Sequence, residues 1–215
     1  MNQVEPKLQQ AYELNQNLDR IEDYPPEWIE EWGTVDAKVI GELADWESLN
    51  LIFTDPELIN SINEIKMEGS LCDFEEIDYL YTKPDLPVMS KRMLSVLRSV
   101  RDFPHQAIPI AIEDNEVAED SMTERSGKVN TEYVAVQLLE QLDIFDKEKS
   151  DYDADDDDPD EIEYINKLVL RVPESGLPPI FRIKENSIYL YVSPEAKTAL
   201  EEAGITGVRF VDINF

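Results

Sequence analysis

One histidine, one cysteine and a run of aspartates are the residues whose types could do chemistry in this chain. His105 stands in Phe103-Pro104-His105-Gln106, with no serine or cysteine motif beside it. A catalytic triad or a multi-histidine metal site needs several converging groups, and a lone imidazole supplies one of them. His105 therefore reads as a loop or surface residue. Cys72 has Asp73, Glu75 and Glu76 close by in sequence, and such neighbours raise a thiol pKa and suppress the reactive thiolate. It reads as a structural thiol. Asp151, Asp153 and Asp155 occupy the first, third and fifth positions of a calcium loop, but Asp156 stands where the sharp turn needs glycine. Ile162 stands where a bidentate glutamate should close that loop, so no metal site is assigned. There is no Gly-x-Ser-x-Gly, no phosphate loop and no dinucleotide fingerprint. With 48 acidic residues, accidental carboxylate pairs are guaranteed, and no pair is singled out as an acid and base. The expectation is a protein that is not an enzyme, with no catalytic residues, no cofactor, no metal and no small-molecule substrate.

Charge points to a different kind of work. Against those 48 acids stand 19 Lys and Arg, a formal net charge of -29. Nucleic-acid affinity comes from cations that displace counterions from phosphates, and no stretch clusters enough Lys and Arg for that. An anionic membrane surface is disfavoured for the same reason. The field favours a basic protein, or a basic cleft in one. The segment Asp151 to Glu163 holds nine carboxylates and no cation; it reads as a solvated acidic loop or insertion. The candidate partner-binding residues are Asp153, Asp155, Asp156, Asp157, Asp158, Asp160 and Glu161 of that loop, together with Trp28 and Trp32. The bland readings stand beside these: acidic loops solubilise, and a tryptophan more often fills a core than a hot spot. No apolar run reaches the roughly 20 residues needed to span a bilayer, and the first 18 residues lack a basic start and an apolar centre. A cytoplasmic location is expected, and a single cysteine, which excludes an internal disulfide, agrees with it.

The elements that must position these residues form an α+β pattern, mainly antiparallel sheet with short flanking helices. Leu8 to Leu18 fits either a helix or, in part, a strand. Pro25 to Gly33 resembles a short helix with Trp28 and Trp32 on one face. Thr54-Asp55-Pro56-Glu57 is a capping box, which predicts a helix through Leu58, Ile62 and Ile65 closing at Gly69. Phe74 to Tyr81 is expected as a strand with Ile77, Tyr79 and Tyr81 on one side. Val88-Met89-Ser90 leads into a helix carrying Met93, Leu94, Leu97 and Val100; Leu190 to Ser193 leads into one carrying Ala196, Ala199, Leu200 and Ala203. Each is followed by an apolar stretch, Ala107 to Ile112 and Gly207 to Ile213. This repeated order fits an internal strand-helix-strand duplication, and also two serine-capped helices of independent origin. Glu132 to Leu142 reads as a strand running into a turn; Ile165 to Val172, Ile180 to Lys184 and Ser187 to Val192 read as further strands, with Glu185-Asn186 as a tight turn. Gly204 is placed to stop the last helix in a left-handed conformation.

Several blocks of the C-terminal half resemble a known family. These are Tyr133 to Leu142, Asp146-Lys147-Glu148-Lys149-Ser150, Ile165 to Leu170, Ile180-Phe181-Arg182, Val192-Ser193 and Ala199 to Phe210, with Leu86 to Ser90 and its helix upstream. In order and spacing they resemble immunity-protein family eleven of bacterial polymorphic toxin systems, to which immunity-protein family forty-three is similar. The likeness spans about residues 85 to 215. It divides the chain into an N-terminal helical or mixed region, 1–84, and an immunity-family α+β domain, 85–215, with the acidic loop at 151–163. The resemblance implies an immunity protein or antitoxin that neutralises a cognate toxin, among them nucleases, by tight binding that occludes its active or substrate-binding surface. It carries no catalytic residues onto this sequence. The competing reading is an adaptor or chaperone-like binder of a secretion-system effector.

Overall fold

The computed structural model describes residues 11–17, 36–43, 62–71, 76–83, 85–115, 127–154 and 162–213. It is a mixed α+β fold with mostly antiparallel sheets. A five-stranded sheet has the order β14 (Val208–Asp212), β1 (Tyr12–Gln16), β13 (Asn186–Val192), β12 (Ile180–Ile183), β9 (Gln141–Leu142). The larger sheet has the order β4 (Thr82–Lys83), β2 (Ala37–Val39), β3 (Ile65–Gly69), β6 (His105–Asp114), β8 (Tyr133–Leu138), β5 (Val88–Ser90), with β7 (Val129–Asn130) paired to β6. A separate two-stranded ribbon joins β10 (Asp151–Ala154) to β11 (Ile162–Lys167). The helices are α1 (Lys91–Val100) and α2 (Pro194–Glu202), which pack against each other.

The two serine-capped helices start for the same reason. Ser90 Oγ accepts from Met93 N at 3.0 Å and Ser193 Oγ from Ala196 N at 3.2 Å, so each satisfies a backbone donor that helix geometry leaves unpaired. Met93, Leu94 and Leu97 of α1, and Ala196 and Leu200 of α2, are buried in one core with Leu14, Val134, Val136, Leu190 and Val192. Gly204 stops α2 at φ +63. Gly204 N donates to Glu201 O and Ile205 N to Leu200 O, both at 3.0 Å, the paired bonds of a Schellman stop.

The strand partners reveal how alike the two units are. β5 and β6 flank β8 and run antiparallel to it, hence parallel to each other. β13 and β14 flank β1 in the same way. Each unit is a strand, a helix and a parallel strand with an antiparallel strand inserted between. In the first unit the insert, β8, follows in sequence; in the second it is β1, from the opposite end of the chain. The sheets therefore do not separate at residue 84: β1 completes the C-terminal sheet, and β3 pairs in parallel with β6.

Local readings that miss do so through tertiary pairing. The expected helix ending at Gly69 is, over Ile65–Gly69, strand β3; Ile65, Met67 and Gly69 point inward with a period of two, aligned on Ile110, Ile112 and Asp114. Residues 54–61 lie outside the described residues. Within Leu8 to Leu18, where the described residues are 11–17, Tyr12 to Gln16 is a strand, because it fills the slot between β13 and β14. Phe74 and Glu75 lie outside the described residues; of the rest of the strand expected at Phe74 to Tyr81, Tyr79 alone forms a bridge, to Met89. Ile77 and Tyr79 do not share a side, since Tyr79 enters the helix-lined core and Ile77 packs on a second core under β3 and β6. The strand expected at Ile165 to Val172 begins earlier and ends at Lys167; Leu168, Val169 and Leu170 are buried beyond it, and Leu170 forms an isolated antiparallel bridge with Phe145. The hairpin turn is Lys184-Glu185, with Asn186 already opposite Ile183. No described residue other than glycine has positive φ, so the mirror-image turn is not used, and a register shift between Phe181 and Ile183 takes up the strand twist instead.

Candidate protein-binding site

A polar constellation among the described residues joins the two units. Asp78 is 5% exposed. Its Oδ1 accepts from Ser90 Oγ at 2.6 Å and Arg92 Nε at 3.1 Å; its Oδ2 accepts from Arg92 Nη2 at 2.5 Å and Thr206 N at 3.0 Å. Arg92 Nη2 also donates to Gly204 O at 2.9 Å, at the C-terminal end of α2 where carbonyl oxygens concentrate negative charge. Burial alone would raise the Asp78 pKa, but the donors from Arg92, Ser90 and Thr206 and the guanidinium charge outweigh it and hold the carboxyl below its ordinary value. Ser90 Oγ donates a hydrogen bond to Asp78 and accepts one from Met93 N. That geometry makes the hydroxyl a helix cap tied to a carboxylate, and the group as a whole tethers α1 to the α2 stop.

A second arrangement faces outward. The β10–β11 ribbon belongs to neither larger sheet. Tyr152, Ile162 and Ile165 point inward and pack on a third core made by Phe145, Leu168, Leu170, Phe181 and Tyr191. The Tyr152 ring meets Phe145 edge to face, centroids 5.5 Å apart. The ribbon's base is clamped by the block Asp146 to Ser150: Val169 N donates to Ser150 Oγ at 2.9 Å, and Asp146 N to Val169 O at 2.9 Å. Burial works to raise the Asp146 pKa, yet Lys149 at 3.1 Å and the N–H groups of Glu148 and Lys149 hold it below the usual carboxylate value. On the other face Asp151, Asp153, Glu163 and Tyr164 are exposed. The acidic loop expected at 151–163 is thus partly strand: its ends pair, Asp153 with Tyr164 and Ala154 with Ile162, and the register shift that leaves out Glu163 brings Ile162 and Ile165 to the same inner face as Tyr152.

Of the residues singled out from sequence, Asp153 lies on β10, exposed and 3.3 Å from Asn166 Nδ2. Asp155, Asp156, Asp157, Asp158, Asp160, Glu161, Trp28, Trp32 and Cys72 lie outside the described residues. His105 opens β6, with Nδ1 2.8 Å from Phe103 O and its ring stacked on Phe103. Among the described residues, no three His, Cys, Asp or Glu side chains converge as metal ligands. Sequence reasoning did not single out Tyr164; the signal available was its place in Ile162-Glu163-Tyr164-Ile165, where the isoleucines mark the buried side. Comparison with protein-family models yields no match, and neither does comparison with curated proteins.

Proposed function

We propose that this chain is an immunity protein, which binds a cognate bacterial toxin and neutralises it by covering the toxin's active or substrate-binding surface. The observation that carries the reading is the ribbon: a two-stranded element outside both large sheets, fixed by its inner face, with carboxylates turned outward. Between its strands the sequence runs Asp155 to Glu161, in which every residue but Pro159 is acidic. A chain of net charge -29 meets a cationic cleft favourably at long range. A nuclease is the toxin class whose phosphate-binding face has that character. The resemblance to immunity-protein families eleven and forty-three supports the same conclusion, and one of its blocks, Asp146 to Ser150, is the ribbon's clamp. The protein works in the cytoplasm of the producing cell by stoichiometric binding, and makes or breaks no bond.

Co-expression tests this. The product of the gene adjoining this one should arrest growth when made alone, and growth should return when this chain is made with it. Association measured by stopped flow should slow by about tenfold between 50 and 500 mM salt, as screening shortens the reach of the field. Growth arrest that persists with both proteins present, and no complex on size exclusion, would sink the reading.

A further inference from the structure

We propose that the outer face of the β10–β11 ribbon, centred on Tyr164, seats the partner, and that the partner offers a cationic protein surface with an apolar slot for the tyrosine ring. The proposal deepens the immunity reading and rests on it. Tyr164 is 63% exposed on a ribbon whose other bulky apolar residues all turn inward. The cause is local: Asp153 pairs with Tyr164 and Ala154 with Ile162, so β11 spends one extra residue there and Glu163 and Tyr164 both reach solvent. The ring is not held by a loose loop. Tyr152, Ile162 and Ile165 anchor the strands beneath it, so little ordering entropy remains to be lost on binding. Tyrosine is a preferred anchor residue at protein interfaces, because a rigid ring with a polar tip fills a slot at small entropic cost.

Charge selects the occupant. Asp151, Asp153 and Glu163 are exposed on the same ribbon, and Lys167 is the one cation between residues 151 and 167. A second copy of this chain would bring another net charge of -29 to the face and be repelled, and phosphate-bearing surfaces are repelled for the same reason. A protein surface rich in Arg and Lys meets both demands, since a guanidinium can pair with a carboxylate and also stack on the phenol ring. Ile188 and Tyr189, also exposed on β13, lie beside each other, but no such charge pattern marks what would cover them.

The probe is the catalytically disabled product of the adjoining gene, titrated against the full chain by biolayer interferometry. Tyr164→Ala should weaken binding about 30-fold, mostly through faster dissociation, while Tyr164→Phe stays within about threefold of wild type. Asp153→Asn with Glu163→Gln should slow association and flatten its salt dependence, with dissociation little changed. Tyr189→Ala is the control and should bind as wild type. All these side chains are exposed, so thermal melts should coincide. If wild type binds and Tyr164→Ala binds equally well, the docking face is wrong and the immunity reading survives. If Tyr164→Ala instead abolishes a self-association of the free chain, the face belongs to a second copy and the proposal is overturned. If wild type does not bind the probe, both readings fall together.

Discussion

Two glycines near the end of α2 have the same backbone sign and different surroundings. Gly204, at φ +63, has open space where a Cβ would stand. Gly204→Ala should therefore cost only the left-handed penalty, about 1 kcal/mol. Gly207, at φ +77, sits so close to the Tyr79 segment that a Cβ would lie 2.5 Å from Tyr79 O and 2.5 Å from Ile77 Cγ2. Gly207→Ala adds a backbone collision to the same penalty and should cost about 3 kcal/mol, visible as a lower urea midpoint at unchanged slope. The Asp78 tether makes a prediction in pH. Its folded-state pKa lies below the ordinary 3.8, so its contribution is complete above that value and is lost as pH falls through the lower, folded-state value. Asp78→Asn should cost about 2 kcal/mol at pH 7, a value reduced because Arg92 is 56% exposed. Urea titrations should show the gap between wild type and variant narrowing below pH 3.8. A gap that stays constant down to pH 2 would mean that Asp78 acts through shape and not through charge.

Elements closed by local chemistry were legible in the sequence, whereas those set by remote partners were not. Ser90 and Ser193 announce α1 and α2 because a cap is satisfied within three residues of itself. Gly204 marks the α2 stop on the same local basis. Ile65 to Gly69 misled because its residues fit the tail of a capped helix, and the deciding contact, with β6, lies more than 40 residues away. Of the candidate site, the acidic run was plain, but the ribbon carrying it depends on Tyr152 finding Phe145 and on Ile162 and Ile165 reaching a core built by Phe181 and Tyr191. That dependence can be measured. Tyr152→Ala removes the edge-to-face contact and much of the inner face, about 2 kcal/mol of local stability. Amide exchange across β10 and β11 should speed up about 30-fold, a factor of ten for each 1.4 kcal/mol. Exchange in β6 and β8, whose buried residues belong to the other two cores, should stay as it was. Uniform acceleration through the whole chain would show that the ribbon does not open as a separate unit.

At the scale of the molecule, two units of like construction pack their helices together and share the Asp78 tether, yet they differ in where the inserted strand comes from. In the first, β8 follows β6 in sequence, with β7 between them; in the second, β14 ends beside the start of β1, with Asp212 paired to Tyr12. Ala11 and Ile213, just outside that pairing, share the third core. A short link between them would give the second unit the strand, helix, strand, strand order of the first. This bears on whether the serine-capped units are a duplication or a coincidence, because a duplicated unit rearranged by circular permutation should tolerate reversal of the rearrangement. A permuted chain with Ile213 joined to Ala11 through about four Gly and Ser residues, and opened between Asp157 and Asp158, keeps every described strand pairing. It should fold cooperatively, with a stability within about 1 kcal/mol of wild type, since a short flexible closure costs little entropy. A chain beginning at residue 18 lacks β1, leaving β13 and β14 without the strand that pairs them both. It should lose its cooperative urea transition, and adding a peptide of residues 11–17 should restore part of it. If the permuted chain is as disordered as the shortened one, the slot between β13 and β14 cannot be filled from its own C-terminal side, and the likeness of the two units is one of shape alone.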